Sequence, residues 1–362
     1  MAAKLTIRDV AREAGVHHST VSRAFRNDPN IPPATRERIQ QAAKRIGYRP
    51  NPLVAALMVQ QRTGRVARVA STLAYVNLFK DLQFWQSVYS YTKFFEGARA
   101  RAAELGYTLE HFWLRAPGMN PKRLGDIFET RGISGLIIGP VATSSGHLSL
   151  PWDKFAAVSH GYTLAKPRLT RVCNNYIDTM MLIIRELRHL GYRRIGLAMW
   201  SPVNARGNHG WLAALTMYQH YLDPRHRVEP FIPEKWTEKG FVKWFKKEKP
   251  EAIATWDRGI ADWLNKLGLK IPGDVGLALT DLNPEVHGRW AGVDQRISLV
   301  GATAVDVLVA QLSSNQRGVP AAPQLVLTEG QWHPGPTLRK QNRSPEPLAL
   351  PRQTRVWAVT PR

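Results

Sequence analysis

Five side chains close to the amino terminus have the types and spacing needed to read the edges of DNA bases. In the stretch His17-His18-Ser19-Thr20-Val21-Ser22-Arg23-Ala24-Phe25, the apolar Val21, Ala24 and Phe25 fall on one side of a helix. The other side carries His18, Ser19, Ser22, Arg23 and, one step on, Arg26, all short or basic. Such groups reach base edges and phosphate oxygens, and an Arg paired bidentately with guanine contributes about 1–3 kcal/mol of discrimination. Bond-making chemistry is not signalled. The chain has no G-x-x-x-x-G-K-[ST] loop, no G-x-S-x-G elbow and no H-E-x-x-H pair. A single cysteine, Cys173, and scattered histidines argue against zinc. The neighbours His17 and His18 invite a metal reading, but adjacent helical positions point about 100° apart, so groove-facing roles are expected instead. No catalytic residue, metal or cofactor is therefore expected.

Those side chains need a frame. Thr6-Ile7-Arg8-Asp9-Val10-Ala11-Arg12-Glu13-Ala14 opens on a capping Thr and repeats apolar residues at helical spacing, and Gly15 breaks it. A third helix is predicted over 33–46, with Ile39, Ala42, Ala43 and Ile46 on one face and Gly47 at its end. Two short helices across a tight Gly turn form a helix-turn-helix, whose second helix enters the major groove. Charge supports the same partner. The 362 residues carry 50 Lys and Arg against 28 Asp and Glu, a net +22. Residues 1–68 hold 13 basic and 4 acidic side chains, so charge is about three times denser there than in the rest.

The order of these residues resembles the LacI/GalR family of bacterial repressors. The shared positions are Thr6, Asp9-Val10-Ala11, Ala14-Gly15-Val16 and Thr20-Val21-Ser22-Arg23, continuing through Thr35-Arg36-Glu37-Arg38-Ile39 to Gly47-Tyr48-Arg49-Pro50-Asn51. The resemblance implies that Ile7, His18, Ser19 and Arg23 face bases, that Arg26 and Asn30 make further contacts, and that Thr6, Ser22, Tyr48 and Asn51 anchor phosphates. His17 stands where the family usually has a capping Ser, and imidazole is a poor N-cap. The segment 51–58 starts with Asn51-Pro52, a good cap and first residue, but is too short to be a stable helix alone. By resemblance it folds when two subunits meet on an operator, with Leu57 wedged into the minor groove. A buried linker helix is the plainer alternative.

The remaining chain alternates apolar runs with helical stretches, which predicts parallel sheets flanked by helices. Strands are expected at 69–78, 135–138, 155–159, 195–199, 252–255 and 275–279, and helices at 84–105, 176–190, 210–222, 241–247, 260–267 and 301–312. Breaks near Tyr162 and Met199 suggest two lobes with a cleft. The whole is thus expected as an all-α helix-turn-helix domain (1–50), a hinge helix and linker (51–65), an α/β two-lobed body (66–337) similar to periplasmic binding proteins, and a basic, Pro-rich, disordered tail (338–362).

Effector positions follow the family pattern only in part. Gly210-Trp211 is present, but Gly207 occupies the usual Arg position and Arg206 lies one residue off. The usual Asn-Asp pair reads Trp256-Asp257, and Asp281 fits a later Asp. Two acids and an indole suit stacking on a sugar and binding its hydroxyls. The expectation is a cytoplasmic homodimer that binds double-stranded operator DNA, has no membrane segment, and is switched by a small molecule held near Arg206, Trp256, Asp257 and Asp281. A body that serves only for dimerisation is the alternative.

Overall fold

The computed structural model describes residues 7–25, 28–46, 71–142 and 146–343. Three helices form the amino-terminal unit: α1 (Ile7–Ala14), α2 (His18–Ala24) and α3 (Pro33–Ile46). Gly15 turns α1 into α2 at φ +61°, a left-handed geometry that glycine adopts at little cost. Val10, Val21 and Ile39 are fully buried where the three helices meet, ringed by Ala11, Ala14, Ala24, Ile31, Ala42 and Ala43. Each of the larger three contributes about 1.5–3 kcal/mol by leaving water.

Residues 71–142 and 146–343 fold as two lobes. The first is built on a six-stranded parallel sheet in the order β12-β7-β5-β3-β1-β2. Its strands are β1 (Ser71–Asn77), β2 (Tyr107–Trp113), β3 (Gly135–Ile138), β5 (Ala156–His160), β7 (Thr170–Asn174) and β12 (Leu325–Thr328). The short strands β4 (Gly146–His147) and β6 (Leu164–Lys166) pair beside it. The second lobe has five strands in the order β13-β11-β10-β9-β8. These are β8 (Ile195–Ala198), β9 (Ala252–Thr255), β10 (Gly276–Leu279), β11 (Ala291–Asp294) and β13 (Gln331–His333), and only β13 runs antiparallel. Central strands such as β3 and β10 are apolar throughout and buried along their length, as strands covered by helices on both faces must be.

The chain crosses between lobes three times: after Asn174, at Gln295–Arg296 and at residues 329–330. The crossings are knitted together by buried amides. Asn174 Nδ2 donates to the Gln295 carbonyl at 2.6 Å, Gln295 Nε2 donates to the Thr280 carbonyl at 2.6 Å, and the Asn175 N–H donates to the Thr328 carbonyl at 3.0 Å. The lobe boundary therefore lies at Asn175 rather than near Tyr162 or Met199. Helix Tyr176–His189 belongs to the second lobe because its Met180, Ile183 and Leu187 pack with Ile195, Leu197 and Trp211.

Other differences from the expected elements have local causes. The helix expected at 84–105 is two, Leu82–Ser87 and Tyr89–Glu104, separated by the extended Val88. Asp81 caps the first by accepting from the N–H groups of Gln83 and Phe84. Strands β2, β4, β6, β7, β11, β12 and β13 are not among the expected ones. β2 lies at a sheet edge, its apolar residues are interrupted by Thr108, Glu110 and His111, and most of its residues are only half-buried. Residues 338–343, expected to begin the tail, pack on the second lobe: Leu338 lies against its core, and Arg343 pairs with Glu251. Among the described residues, no helix is long and apolar enough to cross a membrane.

Candidate nucleic-acid interface and effector cleft

Helix α2 begins at His18, and His17 caps it from an extended conformation with φ −71° and ψ 146°. The imidazole does serve as a cap: His17 Nδ1 accepts from the Ser19 N–H at 3.4 Å and lies 2.8 Å from Ser19 Oγ. Because His17 is outside the helix, the expected angular separation from His18 does not hold, and the two rings lie 4.1 Å apart. Both are exposed, Ser19, Ser22 and Arg23 are half-buried, and Asn30 is exposed. Ile7 opens α1 half-buried, with part of its side chain on the helix core.

The residue that organises this face is Asp28, which the sequence did not single out. Its Oδ2 accepts from Arg23 Nε at 2.8 Å, and its Oδ1 accepts from the Asn30 N–H at 3.0 Å and Asn30 Nδ2 at 3.1 Å. These donors hold the carboxyl down at about 2, the Arg23 hydrogen bond contributing most. One carboxylate thus restrains two expected DNA contacts. Arg36 fixes the same loop from α3 by donating to the carbonyls of Asp28 and Ile31. Pairing at Nε leaves the terminal guanidinium edge as the part of Arg23 suited to a guanine. Thr6, Arg26, Tyr48, Asn51 and Leu57, with the hinge at 51–65, lie outside the described residues.

In the body, Arg206 ends helix Ser201–Arg206 of the second lobe and reaches across to the first. Its Nη1 donates to the carbonyls of Val141 at 2.6 Å and Ala142 at 3.1 Å, and Nη2 donates to the Tyr91 hydroxyl at 2.7 Å. The residue that is one step off the family position is therefore a clasp between lobes. Tyr91 packs on Phe79, and nearby His160 stacks on Phe94 at 3.8 Å. Burial, and secondarily the Arg206 charge, push the His160 imidazole down to about 3, so it is neutral. Its Nδ1 has no protein partner.

Asp281 follows β10 and opens to solvent in a crevice whose walls strip much of its hydration. That desolvation, with repulsion from Asp294, pushes its carboxyl up to about 6. Its charge reaches Tyr176 and Tyr89, whose hydroxyls are raised chiefly by burial. Tyr176 in turn packs 4.2 Å from Trp211. Asp257 is differently placed. Its two oxygens accept from Trp236 Nε1 at 2.7 Å and the Gly259 N–H at 2.8 Å, which ties the loop before helix Ile260–Lys266. Trp256 packs against the second-lobe core, 6.0 Å from Trp236, and its Nε1 has no protein partner. The structure thus brings Arg206 and Asp281 towards one aromatic crevice with Tyr91, His160 and Tyr176, while Trp256 and Asp257 engage Trp236. No motif marks the three added residues, which lie on separate elements of both lobes.

The Arg206 clasp has a measurable consequence. Arg206→Ala leaves the Tyr91 hydroxyl and two carbonyls without their cation, at an expected loss of about 1–3 kcal/mol in urea unfolding. It should also enlarge the radius of gyration in small-angle scattering. An unchanged radius with unchanged stability would show that the clasp does not hold the lobes.

Comparison with known proteins agrees with both parts. Residues 6–51 match the lacI family of bacterial regulatory proteins, and residues 184–337 match the periplasmic binding protein-like domain. Catabolite control protein A of Priestia megaterium is 36% identical over 89 residues, which are 24% of this chain and 27% of that protein. The HTH-type transcriptional regulator GalS of Salmonella typhimurium is 50% identical over 56 residues, 16% of either chain. The similarity thus spans about a quarter of the first relative and less of the second. In shape, the chain is similar to the transcriptional regulator CelR in its cellobiose complex, at TM-score 0.53 and 21% identity, covering 91% of this chain and 98% of the other. It is similar also to the lac repressor dimer bound to operator and the anti-inducer ONPF, at TM-score 0.53 and 20% identity, covering 92% and 99%. Likeness at such identities speaks for the fold alone. The amino-terminal unit thus matches the lacI family of bacterial regulatory proteins over residues 6–51, and the body matches the periplasmic binding protein-like domain over residues 184–337.

Proposed function

We propose that this regulator binds a near-palindromic operator in double-stranded DNA as a homodimer, with α2 of each copy in the major groove. The observation that carries the reading is the solvent-facing set Ser19, Ser22, Arg23 and Asn30, two of them held in place by Asp28. His17, His18 and Ile7 border that set, and Thr6, Arg26, Tyr48 and Asn51 supply the remaining contacts. Leu57 wedges the minor groove between half-sites. The lac repressor solved as an operator-bound dimer supports the arrangement by similarity of fold. Cytoplasmic action follows from a DNA partner.

The body's proposed task is to sense a small hydroxylated molecule, of the carbohydrate class, in the crevice that holds Arg206, Asp281, Tyr91 and Tyr176. Trp256 and Asp257, which engage Trp236, stand outside that set. A ligand that favours one lobe angle changes the spacing of the two hinge helices and so the affinity for DNA. CelR was solved with cellobiose, which supports this ligand class. A second reading, in which the body only dimerises, is favoured by one observation: Arg206 and Asp257 already use their charged groups on protein partners.

Selection of bound sites from a random DNA pool tests the first part. A palindrome with half-sites about one helical turn apart is expected, and recovery of unrelated sequences at moderate salt would remove the operator reading. Calorimetric titration with a panel of sugars and nucleosides separates the two readings of the body. A hit whose binding Asp281→Asn abolishes supports the sensor, and silence across the panel supports the dimerisation platform.

A further inference from the structure

The third crossing between lobes carries a group that the effector reading does not use. Strands β11 and β13 pair antiparallel with Gly292 opposite His333 and Asp294 opposite Gln331. Asp294 and His333 are therefore diagonal neighbours on one face, within side-chain reach. The loop after the turn Pro284–Val286 brings His287 to the same place. His287 and His333 stack with ring centroids 3.9 Å apart, and His287 Nε2 lies 3.7 Å from Asp294 Oδ2.

Two further details give this cluster a direction. Asp294 Oδ1 is engaged by the Arg296 N–H at 2.7 Å, which fixes the carboxylate and turns Oδ2 towards the imidazoles. The Nε2 atoms of both His287 and His333 are buried and have no hydrogen-bond partner. A buried ring nitrogen without a partner is costly, and two that converge on a carboxylate oxygen form the donor set of a borderline divalent cation. One ligand atom from each of the three residues lies within 4.8 Å of the other two. Ligands about 2.0–2.1 Å from one tetrahedral ion lie about 3.4 Å apart, so side-chain movements of about an ångström would close the site.

We propose that His287, Asp294 and His333 bind a divalent transition metal, of the zinc, cobalt or nickel class. Three protein ligands leave at least one position for water or a ligand group. The site lies on two of the three crossings: Asp294 immediately precedes the passage at Gln295–Arg296, and His333 ends the strand entered through residues 329–330. An ion there ties both crossings to the His287 loop and biases the lobe angle. That regulatory consequence rests on the operator-binding reading, whereas metal binding does not.

The test uses the full, untagged chain stripped with a chelator, dialysed against Zn²⁺ or Co²⁺ and analysed for bound metal. A single equivalent per chain is expected. His333→Gln and Asp294→Asn should each lose at least about tenfold in affinity, whereas exposed His189→Gln should lose none. Paramagnetic broadening by Co²⁺ in the unmutated chain should centre on the loop of His287 and on β13, a readout that needs no variant to fold. Absence of stoichiometric metal, retention by both ligand variants, or broadening centred elsewhere overturns the site. Operator affinity with Zn²⁺ and with chelator should differ by at least about fivefold. Equal affinities overturn the regulatory consequence alone. A chain with no operator preference overturns the operator reading and leaves the dialysis result to decide the site.

Discussion

Alanine at Gly301 is expected to destabilise the body by about 3 kcal/mol or more in chemical unfolding. Helices Tyr89–Glu104 and Ile297–Ser313 meet backbone to backbone, and a Cβ at Gly301 would fall 2.1 Å from the Phe94 carbonyl oxygen and 2.9 Å from the Ala98 nitrogen. The contact is reciprocal, since a Cβ at Gly97 would fall 2.1 Å from the Ser298 carbonyl oxygen. Backbone cannot rotate aside as a side chain can, so the helices must separate and open the core formed by Phe94, Ala98, Val300 and Ala304. Helix propensity argues the opposite sign, because Ala is favoured over Gly in a helix interior by about 1 kcal/mol. The two effects differ in direction, so the experiment decides between them. Gly97→Ala should behave alike, and the double variant should lose less than the sum because one separation relieves both clashes. Stabilisation by either substitution would mean that these helices do not touch as described.

Arg23→Ala is expected to relax specificity at one base pair in each half-site by about 1–3 kcal/mol while leaving low-salt, non-specific binding nearly intact. A loss spread evenly over all sequences would make Arg23 a phosphate contact instead. Asp28→Ala separates position from charge. It keeps the guanidinium, adds a net positive charge and frees both Arg23 and Asn30 from their shared partner. Non-specific affinity should therefore rise slightly and specific affinity fall, whereas a merely structural defect would lower both. The sign of any pH effect follows from the lowered Asp28 carboxyl. A depressed group contributes fully above the ordinary carboxylate range and loses its contribution only as pH falls towards about 2. Operator discrimination measured between about pH 6 and 8 should consequently be flat as far as this pair is concerned. A steep change there would mean that the Arg23–Asp28 pair does not set discrimination.

The amino-terminal unit was legible in the chain because its determinants are local. Ile39, Ala42 and Ala43 were expected on the inner face of the third helix, and they are buried there. Gly15 was expected to break the first helix, and it turns at positive φ. The central strands at 135–138 and 275–279 were equally plain, since a strand buried on both faces must be apolar along its whole length. Less was visible wherever a residue works through a distant one. Asp28 follows Arg23 by five positions, in a loop with no periodicity to mark it. Edge strand β2 carries no unbroken apolar run, because Thr108, Glu110 and His111 interrupt it.

Sequence by itself determined the helix-turn-helix, the central buried strands and the positive charge of the amino-terminal segment, because capping, spacing and composition act over a few residues. Tertiary structure decided what the scattered polar groups do. It turned Arg206 into a bridge between lobes, gave Asp257 to Trp236, and set His287, Asp294 and His333 around one point although the chain separates the outer two by 46 positions. The physical reason is that strand register and chain crossings fix which distant side chains share a face, and neither is encoded in any short window of sequence.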